Sequence, residues 1–274
     1  MRAVLRPVLM AASAVLIFAP LPSLAATIQV DYAMTLAGLP IGAANLTGAI
    51  DDERYSLKLE GHLTGLVGAL SGGSRGAATA SGVLSGGRPV AAGFAATARS
   101  SSSERILQIG LSSGNVTKVQ IDPPFEDRPD RVPLGEADKR GVVDPLSGLV
   151  AVAANRAAPL DPANCNRTIP VFEGTQRFNV VLSFAETRPV KKPGYIGNVL
   201  VCNARYVPIA GHRPGRSAVQ FMVENRDMSV WLAPVEGARV LVPLRIAVRT
   251  MIGMSVVEAQ SWRVERSAEA KPAR

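Results

Sequence analysis

Histidine and cysteine are nearly missing from this chain, with two of each in 274 residues, and aromatic side chains make up only 5% of it. So few ligands cannot supply the three or four closely spaced donors of a zinc centre. Two cysteines are also too few for the disulfide-dense framework of a small secreted module. Four tyrosines and two tryptophans leave little material for the aromatic girdles of a transmembrane β-barrel. No phosphate-cradling loop ending in Gly-Lys-Ser/Thr and no dinucleotide fingerprint occurs, so no cofactor is expected. What is abundant is apolar: 47% hydrophobic against 19% charged, a balance that excludes a disordered chain. Thirty Lys and Arg against 22 Asp and Glu give a formal charge of +8. The length suits one large all-β domain or two small ones.

The longest apolar run stands at the N-terminus. Arg2 and Arg6 precede Val8 to Phe18, and Ser23-Leu24-Ala25 offers a small-x-small cleavage site. These are the three parts of a secretory signal, so residues 1–25 are expected to be removed near Ala25. The run is shorter than a spanning helix and is flanked by Pro7, Pro20 and Pro22, which speaks against a membrane anchor. The exported chain is then expected to begin at Ala26 and to span no membrane.

From Thr27 to Ile121 short apolar or alternating runs are separated by turn residues such as Gly86-Gly87 and Ser113-Gly114-Asn115. In Arg54-Tyr55-Ser56-Leu57-Lys58-Leu59-Glu60 the period of two puts Tyr55, Leu57 and Leu59 on one face of a half-buried strand. Residues 122–141 carry four prolines and read as a crossover loop. Asp144 followed by Pro145 has the form of a helix N-cap and first turn, and the spacing of Leu146, Leu149, Val150 and Ala153 predicts a helix over 144–155. Strand patterns resume over 165–264, with Gln176, Phe178, Val180, Leu182 and Phe184 on one face and Val199, Val201, Asn203, Arg205 and Val207 on one face of the next strand. Ala218 to Asn225 reads as another strand. The expectation is mainly β: one domain over 26–264, an antiparallel open barrel or β-roll of about 13–14 strands with one helix, and a flexible tail over 265–274. Two separate small sandwiches are the alternative.

Cys165 and Cys202, 37 positions apart, are expected to pair in an oxidising compartment. Neither Gly-x-Ser-x-Gly string, at 72–76 and 110–114, precedes a helical pattern, so neither reads as a nucleophile elbow. A triad base would have to be His62 or His212. Glu126, Asp127 and Asp130 lie in the mobile-looking Pro-rich loop rather than on rigid strands, which does not suit glycosidase chemistry. The positive charge is the remaining lead. Arg167, Arg205, His212, Arg213 and Arg216 form the candidate anion-binding set, and a basic surface beyond the inner membrane meets anionic lipid, lipopolysaccharide phosphate or cell-wall carboxylate rather than nucleic acid.

The residues Tyr32-Ala-Met-Thr-Leu-Ala-Gly38-Leu-Pro-Ile-Gly42, Tyr55-Ser-Leu and Asp144-Pro-Leu-Ser147-Gly-Leu149 make the chain similar to the exported Gram-negative family catalogued as domain of unknown function 3108. The resemblance implies a periplasmic antiparallel β protein with no assigned catalytic residues, and architecturally it is similar to the spiral β-roll of envelope integrity proteins. The functional expectation is a non-enzymatic protein of the cell envelope that supports its integrity or binds an anionic amphiphile. A barrel lined by Phe178, Val180, Leu182, Phe184, Val219, Phe221 and Val223, with basic residues at its rim, could hold an acyl chain. An envelope-polymer hydrolase and an interaction scaffold for another envelope protein are the alternatives.

Overall fold

The computed structural model describes residues 25–65, 68 and 73–266. The expected signal segment and the tail beyond 266 lie outside the described residues. Seven strands form the first half: β1 (Ala26–Leu36), β2 (Leu39–Ile50), β3 (Arg54–Leu63), β4 (Arg75–Ser85), β5 (Arg88–Arg99), β6 (Glu104–Ser112) and β7 (Asn115–Asp122). Each is antiparallel to the one before. At the β4–β5 hairpin Gly86 and Gly87 both have positive φ, 59° and 72°, the requirement of the two-residue turn whose twist matches that of the flanking strands.

A two-residue strand, β8 (Ala151–Val152), is followed by β9 (Arg167–Phe172), β10 (Arg177–Lys192), β11 (Tyr195–Ala210), β12 (Met228–Pro234), β13 (Val240–Thr250) and β14 (Gly253–Arg266). The sheet order is β7-β6-β5-β4-β3-β2-β1-β14-β13-β12-β11-β10-β9, with β8 added against β13. First and last long strands therefore meet in the middle of one 14-stranded antiparallel sheet, in register from Ala26 and Arg266 to Leu36 and Ser255. The sheet is an open barrel or roll whose free edges are β7 and β9.

The crossover between the halves straps these edges. Val142 N donates to Gly114 O (2.8 Å), Val143 N to Pro170 O (2.8 Å), and Phe172 N to Val143 O (2.9 Å). The strap supplies partners that edge strands otherwise leave open. Val142, Leu146, Val150 and Val152 then enter the main core, against Ile28 and Val30 of β1, Ile50, Tyr55 and Leu57.

The helix expected over 144–155 is replaced by a single 3-10 turn, Ser147–Leu149, and β8. Asp144 does cap, its Oδ1 accepting Leu146 N (3.0 Å) and Ser147 N (2.8 Å). Val152 and Ala151 pair with Val240 and Leu241, and this long-range ladder overrides the local helix signal. The helix lies instead at α1 (Ser217–Glu224), which corrects the strand read from Val219, Phe221 and Val223. β11 and β12 pair directly with each other over Leu200–Asn203 and Ser229–Leu232, so the segment between them does not enter the sheet as a strand of its own. No helix among the described residues is long and apolar enough to cross a membrane.

Candidate ligand site

Cross-strand partners in an antiparallel sheet share a face. One such row runs Leu63, Gly42, Met34, Val257, Ile246, Val230, Cys202, Phe184, through β3, β2, β1, β14, β13, β12, β11 and β10. It contains no charged side chain. The face is hollow beside the β3 end of this apolar lane and again beside its Val230 and Ile246.

In the first half, an open hollow of about 390 Å³ is bordered by Met34, Leu59 and Leu63, by small residues, and by the polar His62 and Arg75. Ala44, Gly61, Gly76 and Ala98 face each other across four strands. Methyl groups and hydrogens cannot fill the centre of a barrel, so space remains where a Leu or Phe would have closed it. The opposite end of this half is plugged by the crossover: Tyr55 OH donates to Ser147 Oγ (2.7 Å), and Ser147 OH donates to the buried Asp144 carboxylate. In the second half, a cavity of about 230 Å³ lies between the sheet and the 145–151 segment, against Leu149, Ile169, Phe178, Val180, Leu182 and Ile246. No charged residue borders it. Phe178, Val180 and Leu182 thus line a hollow as expected, and Phe184 packs beside the same cluster. Val219, Phe221 and Val223 sit on α1 and border neither hollow.

Behind the Gly/Ala wall, on the other face, Ala43, His62, Arg75 and Arg99 share one row and Asn45, Glu60, Ala77 and Thr97 the next. They border an open cleft of about 770 Å³. Its carboxylates are committed. Asp31 accepts from Ser261 Oγ (2.5 Å) and Asn45 Nδ2 (2.6 Å), bonds that hold its carboxyl below the usual range, and Glu60 pairs with Lys58 at 2.9 Å. No serine or cysteine borders the cleft beside His62.

The anion-binding set expected from the sequence does not converge. Leu182 pairs with both Arg167 and Ala204, whereas Val181 pairs with Arg205, so Arg167 and Arg205 stand on opposite faces of the sheet. Arg205 consequently points away from the apolar cavity. Arg167 donates from Nε to Asn164 O (2.7 Å) and from Nη2 to Val152 O (3.0 Å), and burial pushes its guanidinium pKa down. Arg213 Nε reaches Asp130 Oδ2 at 2.6 Å, a bond that lowers the Asp130 pKa. His212 O accepts from Val132 N (2.9 Å), while the His212 Nδ1 is buried without a partner and desolvation lowers the imidazole pKa. Arg216 is exposed at the start of α1. His212 and Arg213 therefore pin the Pro-rich loop rather than ring a cavity mouth. What the basic-residue reading missed is the set of small inward residues; glycine or alanine at alternate positions 76, 78 and 80 is the pattern that marks the room they leave.

Cys165 and Cys202 are disulfide-bonded, with Cα atoms 5.5 Å apart, tying the start of β9 to β11. Comparison with curated proteins and with solved structures finds no match. Residues 31–260, most of the described sheet, match the family model described as "Protein of unknown function (DUF3108)", and the chain belongs to that family.

Proposed function

We propose that this is an exported, non-enzymatic protein of the periplasm that carries or senses an amphiphile and thereby supports the cell envelope. The observation that carries the reading is the uncharged lane across eight strands, with one hollow beside its β3 end and another beside Val230 and Ile246. The first hollow, about 390 Å³, falls in the range of small-molecule pockets, roughly 300–1,000 Å³. An amphiphile is the ligand that suits such a lining, its acyl chain taking the area removed from water against Met34, Leu59 and Leu63 and its polar end meeting Arg75 and His62. The periplasmic assignment rests on the signal-like first 25 residues and the disulfide. Acyl transfer is less well served: among the described residues the large cleft sets no serine or cysteine beside His62, and its carboxylates Asp31 and Glu60 are already hydrogen-bonded or ion-paired. The test is mass spectrometry of an organic extract from protein purified from the periplasm without detergent. A stoichiometric lipid supports the reading, and repeated empty preparations that also fail to take up a fluorescent fatty acid overturn it.

A second reading, docking to another envelope component, has one observation in its favour. Leu39, Met251 and Ile252 are 69%, 59% and 73% exposed on neighbouring hairpin tips joined by Ala37 N to Met254 O at 2.9 Å. Exposed apolar groups so close together mark contact surfaces. Replacing Met251 and Ile252 by Ser should slow fatty-acid uptake from vesicles if the tips serve lipid transfer, and leave it unchanged if they serve a protein partner.

A further inference from the structure

The seam where the sheet fails to close holds a second pocket, separate from the apolar lane. It has a volume of about 410 Å³ and lies between the β4–β5 tip, the β6–β7 turn, the crossover strap and β9. Its charged lining consists of Arg88 and Arg167, and its polar lining of Asn164, Asn166 and Thr168; no Asp or Glu borders it. Apolar walls come from the strap and from Ile169.

Arg167 is held in place there. Its Nε and Nη2 are spent on the carbonyls of Asn164 and Val152, and among the described residues no hydrogen bond takes up Nη1. Among the described residues neither Arg167 nor Arg88 is paired with a carboxylate. Four other half-buried cations are answered by carboxylates, Lys139 by Glu136, Lys192 and Arg245 by Glu258, and Arg213 by Asp130, whereas Arg167 is the half-buried one that borders this pocket. A guanidinium withdrawn from water without a counter-charge is costly, and a fixed one in a pocket free of acids is an arrangement that an incoming oxyanion would complete with a charge-assisted, fork-shaped hydrogen bond.

We propose that the seam pocket is an oxyanion-binding site in which Arg167 and Arg88 hold the phosphate or carboxylate group of a small organic molecule, whose apolar part lies against Ile169 and the strap. The site owes nothing to Arg205, Arg213 or Arg216. Because the pocket is bordered by edge strand β9 and by the β4–β5 and β6–β7 turns of the first half, its occupant bridges the two halves.

The probes are phenyl phosphate and benzoate, with benzyl alcohol as the uncharged control, titrated calorimetrically into the purified protein at low ionic strength and again at about 0.15 M salt. At least one anion is expected to bind more tightly than benzyl alcohol and to weaken with salt. Arg88→Gln, on an exposed hairpin tip, should lower that affinity on the order of tenfold or more, and Arg216→Gln should leave it unchanged. Preference for phenyl phosphate points to a phosphate-bearing glycolipid as the natural source, preference for benzoate to a wall-peptide carboxylate. Arg167→Gln should abolish binding; if that variant does not fold, Arg88→Gln decides. Anions that bind no better than benzyl alcohol, or an Arg88→Gln protein that binds them as wild type, overturn the proposal. Neither result bears on whether the apolar lane takes a lipid.

Discussion

Asp144 has no exposed surface, and its carboxylate is surrounded by donors from its own turn. Leu146 N, Ser147 N and Ser147 OH all point at it, and Ser147 Oγ in turn accepts from Tyr55 OH across the barrel. Ser147→Ala strands both a buried phenol and one carboxylate oxygen, whereas Tyr55→Phe leaves Ser147 still bonded to Asp144. Unsatisfied buried groups cost about 1–3 kcal/mol and a lost neutral hydrogen bond about 0.5–1.5. Urea unfolding at neutral pH is therefore expected to rank Ser147→Ala as the more destabilised. Burial raises the Asp144 pKa above its ordinary 3.8, against the lowering effect of these hydrogen bonds. The folded state then binds the proton more tightly than the unfolded one, so this group's contribution falls as pH rises from about 3.8 through its raised native value. Asp144→Asn should flatten that part of the stability profile; an unchanged slope between wild type and variant would show that other groups produce it.

At the scale of elements, the strands of the first half were legible because their alternation is clean and their turns carry Gly-Gly or Ser-Gly-Asn. The pairing of Tyr55, Leu57 and Leu59 on one buried face followed from period alone. Two elements were not legible. Val219, Phe221 and Val223 alternate like a strand but fall on a helix between two strands that pair directly with each other, and Asp144-Pro145 caps a turn that Ala151 and Val152 then draw into pairing with β13. In both places long-range pairing, which local sequence does not encode, decides. The candidate site was half legible. Phe178, Val180 and Leu182 lie where alternation put them, but the rim was sought among arginines, and the register that sends Arg205 to the opposite face from Arg167 depends on which residue of β10 each one meets.

Two predictions belong to this scale. The chamber of the first half exists because β4 presents Gly76 and Ala78 inward, so Ala78→Phe should fill it. Fatty-acid affinity is expected to drop at least tenfold while the unfolding midpoint stays level or rises, since the added ring buries apolar area without displacing a core side chain. Loss of binding accompanied by a fall in stability would mean that the position is packed rather than hollow. The Cys165–Cys202 bridge closes a loop of 37 residues, and in the chain-entropy model its removal costs about 4 kcal/mol. The Cys165→Ala/Cys202→Ala protein should unfold at correspondingly lower urea, and wild-type protein should show no alkylatable thiol before reduction.

On the scale of the whole molecule, the order of strands binds the two halves together. β1 opens the first half and β14 ends the second, and their eleven-residue ladder places Val30 beside Trp262 and Tyr32 beside Ala259 inside the same core. Tyr32 OH also donates to Pro243 O of β13 at 2.6 Å. The crossover strap closes the opposite side, so each half is held by the other at two places about as far apart as the sheet allows. Splitting the chain would leave β1 and β14 each with a long unpaired edge and a stripped core face, the condition in which strands aggregate rather than fold. The expected outcome is one cooperative urea transition, with tryptophan fluorescence from Trp231 and Trp262 and far-UV circular dichroism coinciding at a single midpoint. Both tryptophans lie in the second half, whereas circular dichroism reports the strands of both. A dichroism transition that continues after the fluorescence change is complete would therefore show the first half surviving alone, and the joint core would not be what holds the sheet together.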